Sequence, residues 1–276
     1  ALVIGSMEPT LITGFPGVSL TLNNVSLKDR QWNIHKHTLL QAKDIRVTVN
    51  TLALFRGTIE IRKVSIADAS VYLYTDSAGY TNTSVFKKKP KIADTTQKRS
   101  ESSTEIRKMT LNNVQLVVNN QKGHKLFQFQ VDKLDGKVDY PSEGWKADLD
   151  LNIVVNSLAF NTRRGSFIKN QRLAGPFKVN FNTEQSTIHV APNKLKIGQN
   201  DFILGATFNT SKDPTAFALN IKTKQISWRN AAALLAPNIK KRLDQFNLAN
   251  PIDVSCEIIG DMGPGGDPLI NVVADV

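Results

Sequence analysis

The chain has 276 residues, 41% of them hydrophobic and 21% charged, with one cysteine, Cys256, and a formal net charge of +11. That length buries a sizeable core as one large domain or two smaller ones, and the composition excludes a disordered chain. A single cysteine excludes a disulfide-stapled scaffold, and no apolar run reaches the roughly 18 residues of a transmembrane helix.

The first residues, "ALVIGSM", are apolar but too short to span a bilayer; they read either as the trailing end of a membrane anchor or as a frayed start. Alternation then dominates: "SLTLNNVSL" (19–27), "DIRVTVN" (44–50), "TIEIRKVSI" (58–66), "SVYLY" (70–74), "MTLNNVQLVV" (109–118), "LFQFQV" (126–131) and "DLDLNIVV" (148–155). It continues through "FKVNFN" (177–182), "STIHV" (186–190), "KLKIG" (194–198), "FALNIK" (217–222), "DVSCEI" (253–258) and "INVVADV" (270–276). Period two, frequent β-branched and aromatic residues, and Gly, Asn, Asp or Pro between the runs predict antiparallel strands with one buried face. "TLALFRG" (51–57) predicts one helical turn ended by Gly57. "SWRNAAALLAPNIKKRLDQFNL" (227–248) predicts an amphipathic helical segment over 228–246. Ser227 is its N-cap, Pro237 either breaks it or opens a second helix, and Leu234, Leu235, Ile239, Leu243 and Phe246 form its apolar stripe.

Residues 87–104, "KKKPKIADTTQKRSESST", fit neither pattern. One apolar β-former among so many charges and hydroxyls predicts a flexible basic loop. Lys87, Lys88, Lys89 and Lys91 are its candidates for contact with an anionic membrane surface. It separates residues 1–86 from 105–276, although strand patterns resume at once.

One phrase recurs. "LTLNNVSL" (20–27) returns as "MTLNNVQL" (109–116), and "VSIADASV" (64–71) has the same rhythm. The copies begin 44 and 45 residues apart, and "EIRK" precedes both the second and the third. The apolar positions are Leu20, Leu22, Val25 and Leu27; Val64, Ile66, Ala69, Val71 and Leu73; and Met109, Leu111, Val114, Leu116 and Val118. In each copy their parity flips across a central pair, Asn23-Asn24, Ala67-Asp68 or Asn112-Asn113. A β-bulge at the pair keeps one face apolar while bending the strand, and a tight Asn-Asn hairpin is the competing reading. The bulge is favoured, because Ala-Asp is poor turn chemistry. Bent strands with one apolar face make a curved trough. That face either closes over the 228–246 segment as a core or stays open to an apolar ligand.

"GFPGVSLTLNNVSLKD" (14–29) and "LLQAKDIRVTVNTLALFRGTIEIRKVSIADASVYLYTDSAGYTN" (39–82) resemble the N-terminal region of AsmA-family proteins. The similar elements are an aromatic-Pro start, a strand with a polar pair, the "LL-x-A-K-x-I-x-V" strand, a "Leu-x-Arg-Gly-x-Ile-x-Ile" step, and the "D-x-x-G-x-x-N" turn of Asp76, Gly79 and Asn82. "IKKRLDQFNLANPIDVSCEIIGDMG" (239–263) is similar to a later helix-then-strand segment of the family, especially in Bacteroidetes. The resemblance implies a TamB-like, repeating β-groove protein of the periplasm, anchored to the inner membrane by a preceding helix. It implies a non-enzymatic role in phospholipid passage and outer-membrane biogenesis. The repeated apolar positions are then the lipid-binding candidates, and phospholipid or another apolar lipid is the partner. A structural or adhesive β scaffold with a closed core is the alternative.

Other chemistry is sparse. His35-x-His37 lacks a third ligand at metal-site spacing, and both histidines read as surface loop residues. Asp148, Asp150, Asp132, Asp135 and Asp139, interleaved with Lys133 and Lys137, read as a solvated face. No nucleophile elbow, P-loop or dinucleotide fingerprint is present, so no catalytic residue, cofactor or metal is expected. Cys256 has apolar parity and reads as a buried, inert thiol. Trp32, Trp145 and Trp228 are scattered rather than interleaved with basic residues, which argues against nucleic-acid binding.

Overall fold

A computed structural model describes residues 1–11, 17–55, 60–86, 105–263 and 267–276. Among them the chain forms fourteen strands. They are β1 (Leu2–Val3), β2 (Ser6–Leu11), β3 (Gly17–Leu27), β4 (Leu40–Asn50), β5 (Ile61–Thr75), β6 (Lys108–Asn120) and β7 (Lys125–Asp139), then β8 (Gly144–Ala159), β9 (Gln171–Asn182), β10 (Thr187–Ile197), β11 (Asn200–Asn209), β12 (Ala216–Ile226), β13 (Ile252–Asp261) and β14 (Leu269–Asp275). All belong to one sheet in which β3 to β14 follow in chain order, with β1 and β2 both pairing along β3. Neighbours are antiparallel, as alternation predicts, with one exception: β5 and β6 run parallel. The sheet is curved and unclosed.

The parallel pair explains the repeat. Its register matches Val64 with Met109, Ile66 with Leu111, Ala69 with Val114 and Val71 with Leu116, so the second and third copies lie side by side, position for position. The first and second copies flank β4 in the same alignment, since Leu20 pairs with Val47, which pairs with Val64. The segment that returns the chain from β5 to β6 holds the predicted basic loop; residues 87–104 lie outside the described part.

The strands run through the polar pairs without a turn, so the hairpin reading fails; the apolar face is kept through a bend at each pair, with no extra residue against the neighbouring strand. The second residue of each pair adopts a left-handed backbone: Asn24 at φ 54°, Asp68 at φ 50° and Asn113 at φ 51°. Asn and Asp tolerate that conformation better than other L-residues. The irregularities line up across the sheet. The ladder skips the 24/43, 43/68 and 68/113 pairs while register on both sides is unchanged, so β3, β4, β5 and β6 bend together.

The predicted helical segment is two short helices. α3 (Trp228–Ala233) begins at Ser227, whose hydroxyl accepts the Asn230 N–H at 3.3 Å. α4 (Pro237–Leu243) opens with Pro237 in its first turn. Two further short helices, α1 (Trp32–His35) and α2 (Thr51–Phe55), lie between strands, the second where "TLALF" predicts a turn. No described helix is long and apolar enough to cross a membrane.

Candidate functional site

The registers assemble the predicted apolar positions into rows across the sheet. One row runs Leu22, Ile45, Ile66, Leu111, Leu134, Leu151. The next, beyond the bend, runs Val25, Ala42, Ala69, Val114, Val131, Ile153. Parallel rows pass through Leu20, Val64 and Met109, through Leu27, Val71 and Leu116, and through Leu73 and Val118. All thirteen candidates share one face. Val25 and Val114, beside the bend, are buried, each 3% exposed. The other eleven are half-buried. Lys87, Lys88, Lys89 and Lys91 lie outside the described residues.

Among the described residues this face is covered over only part of its length. Across β4–β8 the core cluster is Ala42, Ala69, Val114 and Val131, packed against Leu40, Ile45, Ile66, Val71, Leu111, Leu134 and Ile153, and every one of these is a strand residue. Farther along, the sheet is capped. Trp228, Ala231 and Leu234 from the α3 region, with Leu248, seal Ile197, Phe202, Ile226 and Ile252. The loop after β8 also folds inward: Phe160 meets Phe127, Phe167 and Phe217 at ring separations of 5.3, 5.8 and 5.6 Å. It thereby ties β7 and β8 to β12 across the curve, which shows that the apolar face is the inside of the bend. Cys256 belongs to this cluster, half-buried rather than fully buried, and burial pushes its thiol pKa up.

On the outer face the row of left-handed residues opens a polar crease. Asn113 donates to Asp68 at 2.6 Å, and Gln130 donates to the Asn113 carbonyl at 3.0 Å. Asn24, Gln41 and Lys43 line the same crease. These bonds hold the bend from its wet side.

The histidines are a correction. They do not sit on the surface: the His35 side chain is only 6% exposed and that of Asp29 only 1%. His35 Nε2 lies 3.0 Å from Asp29 Oδ1, and His35 Nδ1 accepts the His37 N–H at 3.0 Å. Tyr80 donates its hydroxyl to Asp29 at 2.5 Å, and the Gln31 N–H donates to the same carboxylate at 3.2 Å. Burial raises the Asp29 pKa, but the hydrogen bonds from Tyr80, His35 and Gln31 outweigh it and hold the carboxyl below its ordinary value. His37 stacks on Tyr72 at 4.4 Å, and burial, with His35 nearby, lowers its pKa. Both His35 nitrogens are engaged, so this Asp–His pair has no lone pair free for general-base chemistry. It is a small second core on the outer face. The signal available in the sequence was Tyr72 and Tyr74, two aromatics on the polar parity of β5.

The turn of Asp76, Gly79 and Asn82 closes that core. Asp76 accepts the Tyr80 N–H at 2.8 Å, and Gly79 takes φ 96°, where a side chain is strained. Asn82 is fully buried at 0% exposure. Its carbonyl accepts the Tyr74 N–H at 2.9 Å and its amide donates to the Tyr72 carbonyl at 2.7 Å, so its side chain extends the β5 hydrogen bonding as a further strand would.

An unclosed, curved sheet with an apolar inside and a partial helical cap defines a β-trough protein. The family model described as the AsmA family matches residues 13–250, and the chain belongs to that family. No curated protein and no solved structure matches the chain. Among the described residues no three His, Cys, Asp or Glu side chains cluster as a metal site.

Proposed function

We propose that this protein is a non-enzymatic envelope module that holds the acyl chains of phospholipid on the inside of its trough, in the passage of lipid between inner and outer membranes. Membership of the AsmA family accords with a role in envelope or lipid-related biogenesis. The reading includes a periplasmic location, anchorage of the full-length protein to the inner membrane, and contact of Lys87–Lys91 with anionic headgroups.

The observation that carries it is the asymmetry of cover. The helices and Phe160 seal the β9–β13 stretch, whereas in β3–β7 only the row at the bend, Val25 to Val131, is buried and the flanking rows are half-buried along strands of 11 to 15 residues, with only strand residues packed on them among the described residues. Apolar area removed from water contributes roughly 25 cal/mol per Å², so one acyl chain lying along such rows gains several kcal/mol without any polar contact. A photo-crosslinking residue at Leu22 or Leu111, in a cell envelope extract with labelled phospholipid, is expected to capture lipid. The same residue at Thr48 or Thr110, on the opposite parity, is expected to capture little. Equal labelling of both faces, or none on the inside, supports the closed scaffold instead.

A further inference from the structure

The net charge is unevenly placed. Residues 161–170 and 228–246 carry seven basic residues against one acid, Asp244. Residues 87–104 carry six against two, and the rest of the chain holds 22 basic against 21 acidic residues. The sheet is therefore close to neutral, and one described region is strongly positive.

The two segments of that region are one surface. Ile168 bridges to Leu235, the Ala236 N–H donates to the Phe167 carbonyl at 2.9 Å, and Asn238 donates to the Arg164 carbonyl at 2.9 Å. Arg164 pairs with Asp267 at 2.9 Å and Lys240 with Asp244 at 2.6 Å. Arg163, Lys169, Arg229, Lys241 and Arg242 are exposed and have no carboxylate within 4.0 Å among the described residues. Beside Arg242, at the end of α4, Phe246 is 61% exposed. Its ring meets only the edge of Trp228, at 6.3 Å, and Trp228 Nε1 donates to the Leu243 carbonyl at 3.2 Å. α4 buries no residue at all.

We propose that this cap is a docking surface for an anionic lipid bilayer, with Phe246 entering the interface and the five unpaired cations meeting headgroup phosphates. Charge complementarity selects a negative partner. The exposed phenylalanine selects a bilayer over nucleic acid, because a lone aromatic offers no stacking platform for successive bases, whereas an aromatic flanked by cations suits the headgroup region. The surface is distinct from the open rows of β3–β7, so the proposal stands whether or not those rows hold lipid.

Co-flotation of the purified chain with vesicles tests it. Vesicles containing phosphatidylglycerol are expected to bind, and pure phosphatidylcholine vesicles to bind far less. Lys241→Gln with Arg242→Gln is expected to weaken binding roughly 30-fold, at about fivefold per charge near the surface. Phe246→Ser is expected to weaken it at high salt, where the electrostatic part is screened. An unchanged melting temperature shows that each variant is folded. Vesicle binding that survives the cap variants and vanishes on neutralising Lys87, Lys88, Lys89 and Lys91 overturns the proposal. Binding to duplex DNA as tight as to vesicles and indifferent to Phe246→Ser also overturns it.

Discussion

Replacing Asn82 by alanine removes two hydrogen bonds from a site with no access to water. The Tyr74 N–H and the Tyr72 carbonyl, which bond to Asn82 at 2.9 and 2.7 Å, lose their partner, and the 0% exposure of Asn82 leaves no route for solvent to replace it. Each buried backbone group left unmatched costs about 1–3 kcal/mol, so the substitution is expected to cost about 2–6 kcal/mol. For a chain of this size that corresponds to a fall in melting temperature of about 3–10 °C. Asn82→Asp is the sharper variant. Its carboxylate still accepts from Tyr74 but faces the Tyr72 carbonyl with a second oxygen, so it is expected to be no better than alanine. Thermal and urea denaturation followed by circular dichroism measure both. If Asn82→Ala melts within about 2 °C of the parent chain, or Asn82→Asp is indistinguishable from it, the strand-mimicking role is refuted.

Two other outcomes follow from the same physics. Asn113→Val forces a β-branched residue to φ 51° and is expected to destabilise by about 1–2 kcal/mol, whereas Asn113→Gly, which relieves the backbone while losing the bond to Asp68, is expected to cost less than half as much; urea midpoints compare them. The His37 and Asp29 pKa values are both lowered in the fold, so the unfolded chain takes up each proton first, and stability is present above the unfolded values and lost as pH falls. Melting temperature is therefore expected to decline below about pH 6.5 and again below about pH 4, and His37→Phe, which keeps a ring against Tyr72, is expected to abolish the first decline.

The strands and their apolar face were legible because alternation is a local signal, written residue by residue. The bend was legible as a change of parity at Asn24, Asp68 and Asn113. The cap of α3 was legible from Ser227, and Pro237 marked the point where the helical segment divides. The parallel pairing of β5 and β6 was not, since alternation with turn residues between the runs points to antiparallel neighbours, and direction here is set by where the intervening segment leads. Nor was the burial of Asp29 and His35. A carboxylate and an imidazole read as surface unless the partners that satisfy them are known, and the decisive one, Tyr80, lies 51 residues from Asp29. The extent of cover over the trough was equally invisible, because a half-buried leucine under open sheet and a buried one under a helix are spelled alike.

The aligned left-handed residues have a consequence for how such a sheet changes length. A single inserted or deleted residue within β3, β4, β5 or β6 would move one bend out of line with its neighbours and turn part of that strand inside out. Adding a whole β3–β4 unit does neither, because β3 and β5, 44 residues apart in phase, meet β4 with their bends at the same height. A sheet aligned in this way tolerates the addition of whole modules, as a fence takes added panels, better than it tolerates a single inserted residue.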